Sequence, residues 1–519
     1  MRFRAESLLA WAAAAVGVIA IISALTPEFA WRHDAVQSVL PDAIPVAARI
    51  VTLSFGFALV WLALSLAKRR RRAWQLAVAV VIGLAVTHLA KGLDFEEAAG
   101  ALILLGALAF YRTRFDVPGD PVVFTPLVAT LAALAAAVGW ALWLEDRSGW
   151  FPERGVETLG GISLLLGAFA LHLWLRPISE RVRQSTGERR AARQLVEAYG
   201  RDSLAFFTLR RDKSYLFSPS RTSFLAYRVI GGAALVSGDP VGDESEFDAL
   251  LEEFRRTTRA RGWRMAVLGA SEDQLARYRR LGMRAIKLGD EAVLRPGAFS
   301  LEGRPIRKVR QSVSRLSKAG YALRVVAVGD VDPCLREKVD AVSAAWRGNQ
   351  PERGFSMSMD ELYAPDTLLA VAEDEHGEVG GFLHLVPSPA ARGYSLSTMR
   401  RRPGTPNGLM EFLIAETLAW AKERGASEIS LNFCVFTDFL QPELRGWRAV
   451  ARRALLGLDR LFQLDRLHSF NKKFFPEWRP RYLCIERYAD LPAVGLAYLR
   501  VEQLLTPPRP WARRPAARV

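Results

Sequence analysis

The sequence predicts a multi-span α-helical membrane domain followed by a soluble α/β (α+β) region. Three observations carry this. Apolar residues concentrate before about Arg176, and charged residues concentrate after it. Six apolar stretches in that first third approach the ~20 helical residues that cross ~30 Å of hydrocarbon. From about Glu180 onward, strand-like runs alternate with stretches of helical period.

The apolar stretches cover residues 7–25, 46–67, 73–90, 98–111, 122–144 and 159–175. The first does not resemble a cleaved signal peptide, because no small-residue cleavage site follows it. Basic residues fall in alternate connections: Arg2 and Arg4, then 68–72, then Arg112 and Arg114, then Arg176, Arg181, Arg183, Arg189, Arg190 and Arg193. The intervening connections hold Asp34 and Asp42, then Asp94, Glu96 and Glu97, then Glu145, Asp146 and Glu153. Excess Lys and Arg mark the cytoplasmic side. The expectation is therefore a multi-pass protein of the cell membrane with both termini in the cytoplasm. Trp140, Trp143 and Trp150 suit an interfacial belt. Arg49, His88 and His172 are the ionisable residues within or beside the stretches, and all lie near the ends, which argues against a charged-relay transporter.

The formal net charge is +16. Such a balance points to a polyanionic partner, a nucleic acid or an anionic lipid surface. Cys334, Cys434 and Cys484 form no CxxC pair and the six histidines are scattered. The residues point to no metal and no other cofactor.

Residues 223–236 read as a strand pair broken by Gly231-Gly232, and Ser237-Gly238-Asp239-Pro240 is turn chemistry. Phe247, Leu250, Leu251 and Phe254 recur at helical spacing, and strands are expected at 264–268 and 285–294 around a short helix at 274–280. A basic helix over 305–319 carries Ile306, Val309, Val313 and Leu316 on one stripe. Arg304, Lys308, Arg315 and Lys318 fall on another face, with no acid between Arg304 and Lys318. Strands at 367–372, 380–386 and 393–399 precede a helix capped by Asn407 and running to Arg424, and a strand at 427–435 follows. Three antiparallel strands, a helix and another strand is the core order of the N-acyltransferase (GNAT-type) fold. Both halves fit it, so two tandem GNAT-like folds are expected. The domain boundaries become 1–178, 179–303, a basic linker helix at 304–320, and 321–519.

The junction Met399-Arg400-Arg401-Arg402-Pro403-Gly404-Thr405-Pro406-Asn407-Gly408 carries three arginines into a loop that opens a helix N-terminus. Exposed N–H groups, the helix dipole and guanidinium forks together favour a phosphate there.

Four blocks resemble a known family: 238–242 (GDPVG), 287–292 (KLGDEA), 407–413 (NGLMEFL) and 474–483 (FFPEWRPRYL). They resemble the C-terminal domain of phosphatidylglycerol lysyltransferase, the catalytic region of the multiple peptide resistance factor family. The likeness covers about 193–500. It implies tandem GNAT-like folds joined by a basic helix. It also implies transfer of an aminoacyl group, lysyl first, from aminoacyl-tRNA to the glycerol hydroxyl of phosphatidylglycerol. Its partners would be charged tRNA, phosphatidylglycerol or another anionic lipid, and a second copy in any oligomer. Developing negative charge on the attacked carbonyl needs donors. A carboxylate that orients the ammonium or assists proton transfer would be Glu291, with Asp290 second. Arg400 matches the arginine of the family's Asp-Leu-Met-Arg motif, Lys473 and Arg481 match basic positions of the last block, and Asn432 lies on the facing strand. Asp239, Arg304, Lys308, Arg315, Arg401, Arg402 and Asn407 complete the expected substrate-binding set. Ser397 belongs to it too, standing where the motif has Asp. The membrane part is shorter than in full-length members. Two other readings remain open: an acyltransferase using an acyl-carrier or coenzyme A donor, and a non-catalytic membrane scaffold.

Overall fold

The computed structural model describes residues 5–26, 43–92, 94–119, 124–145, 150–175, 178, 180, 182–348, 354–435 and 464–503. Two compact units result, Met1–Ser179 with Thr257–Trp263, and Glu180–Arg256 with Arg264–Val519.

The first unit contains α1 (Ala5–Leu25), α2 (Ala43–Leu66), α3 (Arg71–Gly92), α4 (Phe95–Phe110), α5 (Phe124–Glu145) and α6 (Trp150–Trp174). One helix lies at each expected apolar stretch. Leu59, Leu62, Val81, Leu84, Leu104 and Leu108 form its core. α1 and α2 approach closely at two glycines. A Cβ at Gly17 would lie 2.8 Å from the Gly56 carbonyl oxygen, and one at Gly56 would lie 2.9 Å from that of Gly17. Small residues that admit such contact are typical of helix pairs in lipid. By length and composition, Ala5–Leu25 and Arg71–Leu89 are long and apolar enough to cross a membrane. The apolar runs Val51–Leu66, Thr125–Val138 and Gly161–Trp174 are shorter.

The second unit is built on one sheet. Its strands are β1 (Ser214–Phe217), β2 (Ser223–Ile230), β3 (Ala233–Ser237), β4 (Val241–Gly242), β5 (Arg264–Ser271), β6 (Arg284–Leu294), β7 (Ala322–Ala327), β8 (Leu368–Glu373), β9 (Val379–Ser388), β10 (Gly393–Arg401), β11 (Ile429–Val435) and β12 (Glu477–Ile485). They lie in the order β1-β2-β3-β5-β12-β6-β11-β10-β9-β8-β7, with β4 beside β2. Each half repeats one pattern. In the first, β1 to β3 are antiparallel, α8 (Phe247–Ala260) follows, and β5 returns parallel to β3. In the second, β7 to β10 are antiparallel, α12 (Leu409–Glu423) follows, and β11 returns parallel to β10. β12 was not anticipated as a strand. It comes back from the C-terminal side and inserts antiparallel between β5 and β6, while β6 pairs with β11. The two halves thus share one continuous sheet.

Period-2 alternation splits the second half's side chains between two layers. Leu383, Leu385, Leu396 and Leu431 pack with Leu409, Leu413 and Leu418 of α12 and with Val309, Val313 and Leu316 of the basic helix α10 (Arg307–Lys318). Phe382 and Val371 pack on the other face with Leu335, Val339 and Val342 of α11 (Pro333–Arg347). On the first half, Ala233, Leu235, Ala266 and Leu268 pack with Val494, Ala497 and Val501 of α14 (Leu491–Val501). The remaining helices are α7 (Thr186–Tyr199), α9 (Leu275–Arg280) and α13 (Leu464–Asn471).

Candidate active-site cleft

In open α/β sheets, ligands bind beyond the carboxyl ends of parallel strands. β3 and β5 are parallel in register from Ala233↔Arg264 to Ser237↔Leu268. β3 then stops, because Gly238 turns with φ 71° and its N–H donates to the Leu268 carbonyl at 2.8 Å. The turn carries Asp239 across the end of β5. There its carboxylate accepts the Ser271 N–H at 2.9 Å and the Tyr278 hydroxyl at 2.7 Å. Burial, with neighbouring Asp202 adding to it, pushes the Asp239 carboxyl up to about 6.

Beside this turn lies a buried ionic centre. Glu291, on β6, is opposite Phe433 of β11 and Arg479 of β12. It is fully buried. One of its oxygens accepts the hydroxyls of Ser203 and Ser430, each at 2.5 Å. The other accepts Arg481 Nε at 2.8 Å and Nη2 at 2.6 Å. Arg481 also donates to Asp202 Oδ2 at 2.7 Å and to the Gly269 carbonyl at 3.3 Å. Burial alone would raise the Glu291 pKa, but the Arg481 guanidinium and the hydroxyls outweigh it and hold the carboxylate below its usual range. The Arg481 pKa is raised, since Asp202 and Glu291 more than offset its desolvation. A buried ion pair survives only with such complete hydrogen bonding.

The Asp239 turn and Arg481 line a cleft of about 590 Å³, together with Asp202, Ser203, Glu272 and Arg479. At its other end Arg479 donates to Glu428 at 2.9 Å, and Arg295 joins Glu428 to Glu477 at 3.0 Å each. The cleft thus offers carboxylates at the β3–β5 end and guanidiniums along its floor. It can hold a cationic group against Asp239 and Asp202, while Arg481, whose N–H groups are all engaged by Glu291, Asp202, Gly269 and Ser203, favours a developing oxyanion through its charge.

Of the expected residues, Asp239 and Arg481 line this cleft, and Glu291 stands immediately behind Arg481 without lining it. A proton-transfer role for Glu291 does not fit, because both of its oxygens are engaged and its pKa is lowered. Asp290 points to the opposite face of β6, where it pairs with Lys287 at 3.0 Å and lies near Cys434.

The three junction arginines diverge. Arg400 is buried on the α11 face, opposite Phe382, and donates to the Ser343 hydroxyl. Arg401 is opposite Gly381 on the α12 face. Arg402 pairs with Glu378 at 3.1 Å. Nor does Asn407 cap α12. Gly408 does so with φ 96°, and a Cβ there would lie 2.5 Å from Ser312 Oγ on α10. Asn407 instead offers its carbonyl to Arg315 Nη2 at 2.5 Å. The expected phosphate cradle is therefore covered by α10 and is not formed by these arginines.

Ser397 and Asn432 act together elsewhere. Parallel pairing of β10 and β11 stops after Ser395↔Ser430, at irregularities in both strands. Asn432, at φ 67°, spans the gap, donating from Nδ2 to the Met357 and Leu396 carbonyls at 2.9 and 3.1 Å. The Ser397 hydroxyl accepts the Met359 N–H at 3.0 Å. Lys473 pairs with Glu411 at 2.7 Å. Arg304 and Lys308 are exposed, and among the described residues neither has a carboxylate partner. Asp202, Ser203, Ser430 and Tyr278 were missed. Single serines and aspartates in unremarkable contexts give no sequence signal.

This α/β scaffold, with a charged cleft at the ends of a parallel strand pair, is that of a known family. Residues 193–485 match the profile described as phosphatidylglycerol lysyltransferase, C-terminal, and the chain belongs to that family. Curated relatives include lysylphosphatidylglycerol biosynthesis bifunctional proteins. That of Rhodococcus opacus is 32% identical, covering 88% of this chain and 45% of the relative. That of Mycolicibacterium gilvum is 33% identical, covering 99% of this chain and 51% of the relative. The chain spans about half the length of these relatives. Among solved structures, L-PGS from Bacillus licheniformis shares the fold with TM-score 0.56 at 22% identity, covering 63% of this chain and 99% of that one. A C-terminal DUF2156 domain from Agrobacterium fabrum gives TM-score 0.54 at 28% identity, covering 61% and 97%.

Proposed function

We propose that the second unit, two GNAT-like folds sharing one sheet, moves a lysyl group from charged tRNA to the head group of phosphatidylglycerol. The observation that carries this reading is the cleft at the β3–β5 ends, which sets Asp239 and Asp202 beside Arg481. The family and the names of the curated relatives agree with it. The lipid hydroxyl oxygen attacks the aminoacyl ester carbonyl. A new ester C–O bond forms, the bond to the tRNA ribose oxygen breaks, and the hydroxyl proton passes to that leaving oxygen. No redox partner or cofactor is needed. Asp239, with a pKa near 6, is suited to relay the proton or hold the ammonium. The Arg481 guanidinium stabilises the carbonyl oxygen through its positive charge rather than by a hydrogen bond. Glu291 positions Arg481. With Ser397 tied to Met359, selection of a cationic aminoacyl group falls to the acidic end of the cleft.

The exposed basic face of α10 supplies the polyanion contact, and its salt dependence would be steep. The covered α12 N-terminus disfavours a coenzyme A or acyl-carrier donor, which would need a phosphate cradle there. The first unit serves as a multi-pass anchor with cytoplasmic termini. Trp11, Ile103, Phe110 and Leu165, each more than 70% exposed on its helices, suit a lipid environment.

The test is to incubate membranes containing the protein with phosphatidylglycerol and separately labelled lysyl-, alanyl- and arginyl-tRNA. Labelled lipid from lysyl-tRNA supports the reading. No transfer from any of the three, with no tRNA binding, refutes it.

A further inference from the structure

A second cavity, of about 280 Å³, lies over the first turns of α7. It is lined by Thr186, Arg189, Arg190, Arg193, Leu209 and Tyr215. α7 is about 20 Å long at 1.5 Å per residue, and its other end, Tyr199, reaches the active-site cleft. The two sites therefore sit at opposite ends of one helix.

Two observations meet in this cavity. The first is charge. Arg189 and Arg190 have no carboxylate partner among the described residues, and Arg193 is paired with Asp366 at 2.6 Å. The nearby Glu188 is committed to the capping box with Ser185. The second is an orphan donor. Tyr215 is 9% exposed, and its hydroxyl is buried without a hydrogen-bond partner. Tyr215 is fixed from behind by edge-on contacts with Phe217 and Phe224 at 6.0 and 5.4 Å between ring centroids. Orphaned buried hydroxyls are uncommon in proteins and ask for a partner. Cationic forks above a buried donor suit an oxyanion.

We propose that this cavity binds a compact phosphate, either inorganic phosphate or the terminal group of a small phosphate monoester. One phosphate oxygen accepts from Tyr215 and the others from Arg189 and Arg193. The buried hydroxyl lies at the floor, so the group enters end-on. A backbone phosphodiester, flanked by two sugars, would stop short of it. The proposal does not depend on the transferase reading, because no cleft residue takes part.

The test uses the full chain in detergent and phosphate-free buffer, titrated calorimetrically with inorganic phosphate and with glycerol 3-phosphate. One saturable site is expected for at least one of them, with sulfate competing and chloride not. Tyr215→Phe, which keeps the ring packing, should weaken binding about tenfold, the scale of a lost hydrogen bond to a charged group. Arg189→Ala should weaken it at least as much, with the near-ultraviolet circular dichroism of both variants unchanged. Absence of saturable binding to the wild type would overturn the proposal. So would undiminished binding by both variants, or binding seen only with tRNA or only with phosphatidylglycerol vesicles.

Discussion

Glu291 and Asp239 are two buried carboxylates with opposite electrostatic fates. Glu291 faces Arg481 and two hydroxyls, so its pKa is lowered. At Asp239 burial dominates, neighbouring Asp202 adds to it, and the pKa rises to about 6. Their linkage to folding therefore has opposite signs. Glu291 contributes stability above the unfolded carboxylate pKa of about 4.3, and that contribution is lost as pH falls through its lower folded value. Asp239 costs stability above about pH 6, a cost relieved as pH falls below that value. Glu291→Gln strands the buried Arg481 charge and should cost about 3–5 kcal/mol, read as a lowered thermal midpoint of the detergent-solubilised protein. Asp239→Asn should leave that midpoint unchanged or higher. It should reduce transfer at least ~100-fold and remove a rising limb of the pH–rate profile near 6. A variant that keeps both its rate and that limb would exclude Asp239 from the chemistry.

At the scale of elements, strands with clean alternation and helices with a clear stripe were legible. β2, β3, β5, β6, β8 to β11, α8, α10 and α12 all lie where periodicity put them. β12 was not legible as a strand, because Glu477-Trp478-Arg479-Pro480-Arg481 lacks alternation and proline argues against a central strand. Its position decides the site, since it delivers Arg481 to Glu291 from nearly 200 residues away in sequence. The arginine junction failed for a related reason. Motif reading treats Arg400, Arg401 and Arg402 as one cluster, but strand alternation sends neighbours to opposite faces. Gly408, expected only as the end of the junction behind Asn407, is itself the cap, required by its φ of 96° and by the proximity of Ser312. The basic face of α10 keeps its expected character. Replacing Arg304, Arg307 and Lys308 with alanine should raise the KM for lysyl-tRNA and flatten its salt dependence, with kcat little changed. An unchanged salt slope would place the tRNA elsewhere.

For the whole molecule, the shift from apolar to charged composition sets the expected end of the membrane domain at residue 178. Single cysteines placed in the 68–72 and 112–114 connections should be labelled by a membrane-impermeant thiol reagent only after the cells are opened. Labelling of either in intact cells would contradict cytoplasmic loops. The account as a whole rests on the cleft. Wild-type protein, Asp239→Asn and Glu291→Gln should be compared in membranes supplied with phosphatidylglycerol and labelled lysyl-tRNA. The account predicts labelled lipid from the wild type and essentially none from a folded Asp239→Asn protein. Wild-type membranes that neither bind the tRNA nor yield labelled lipid would contradict it.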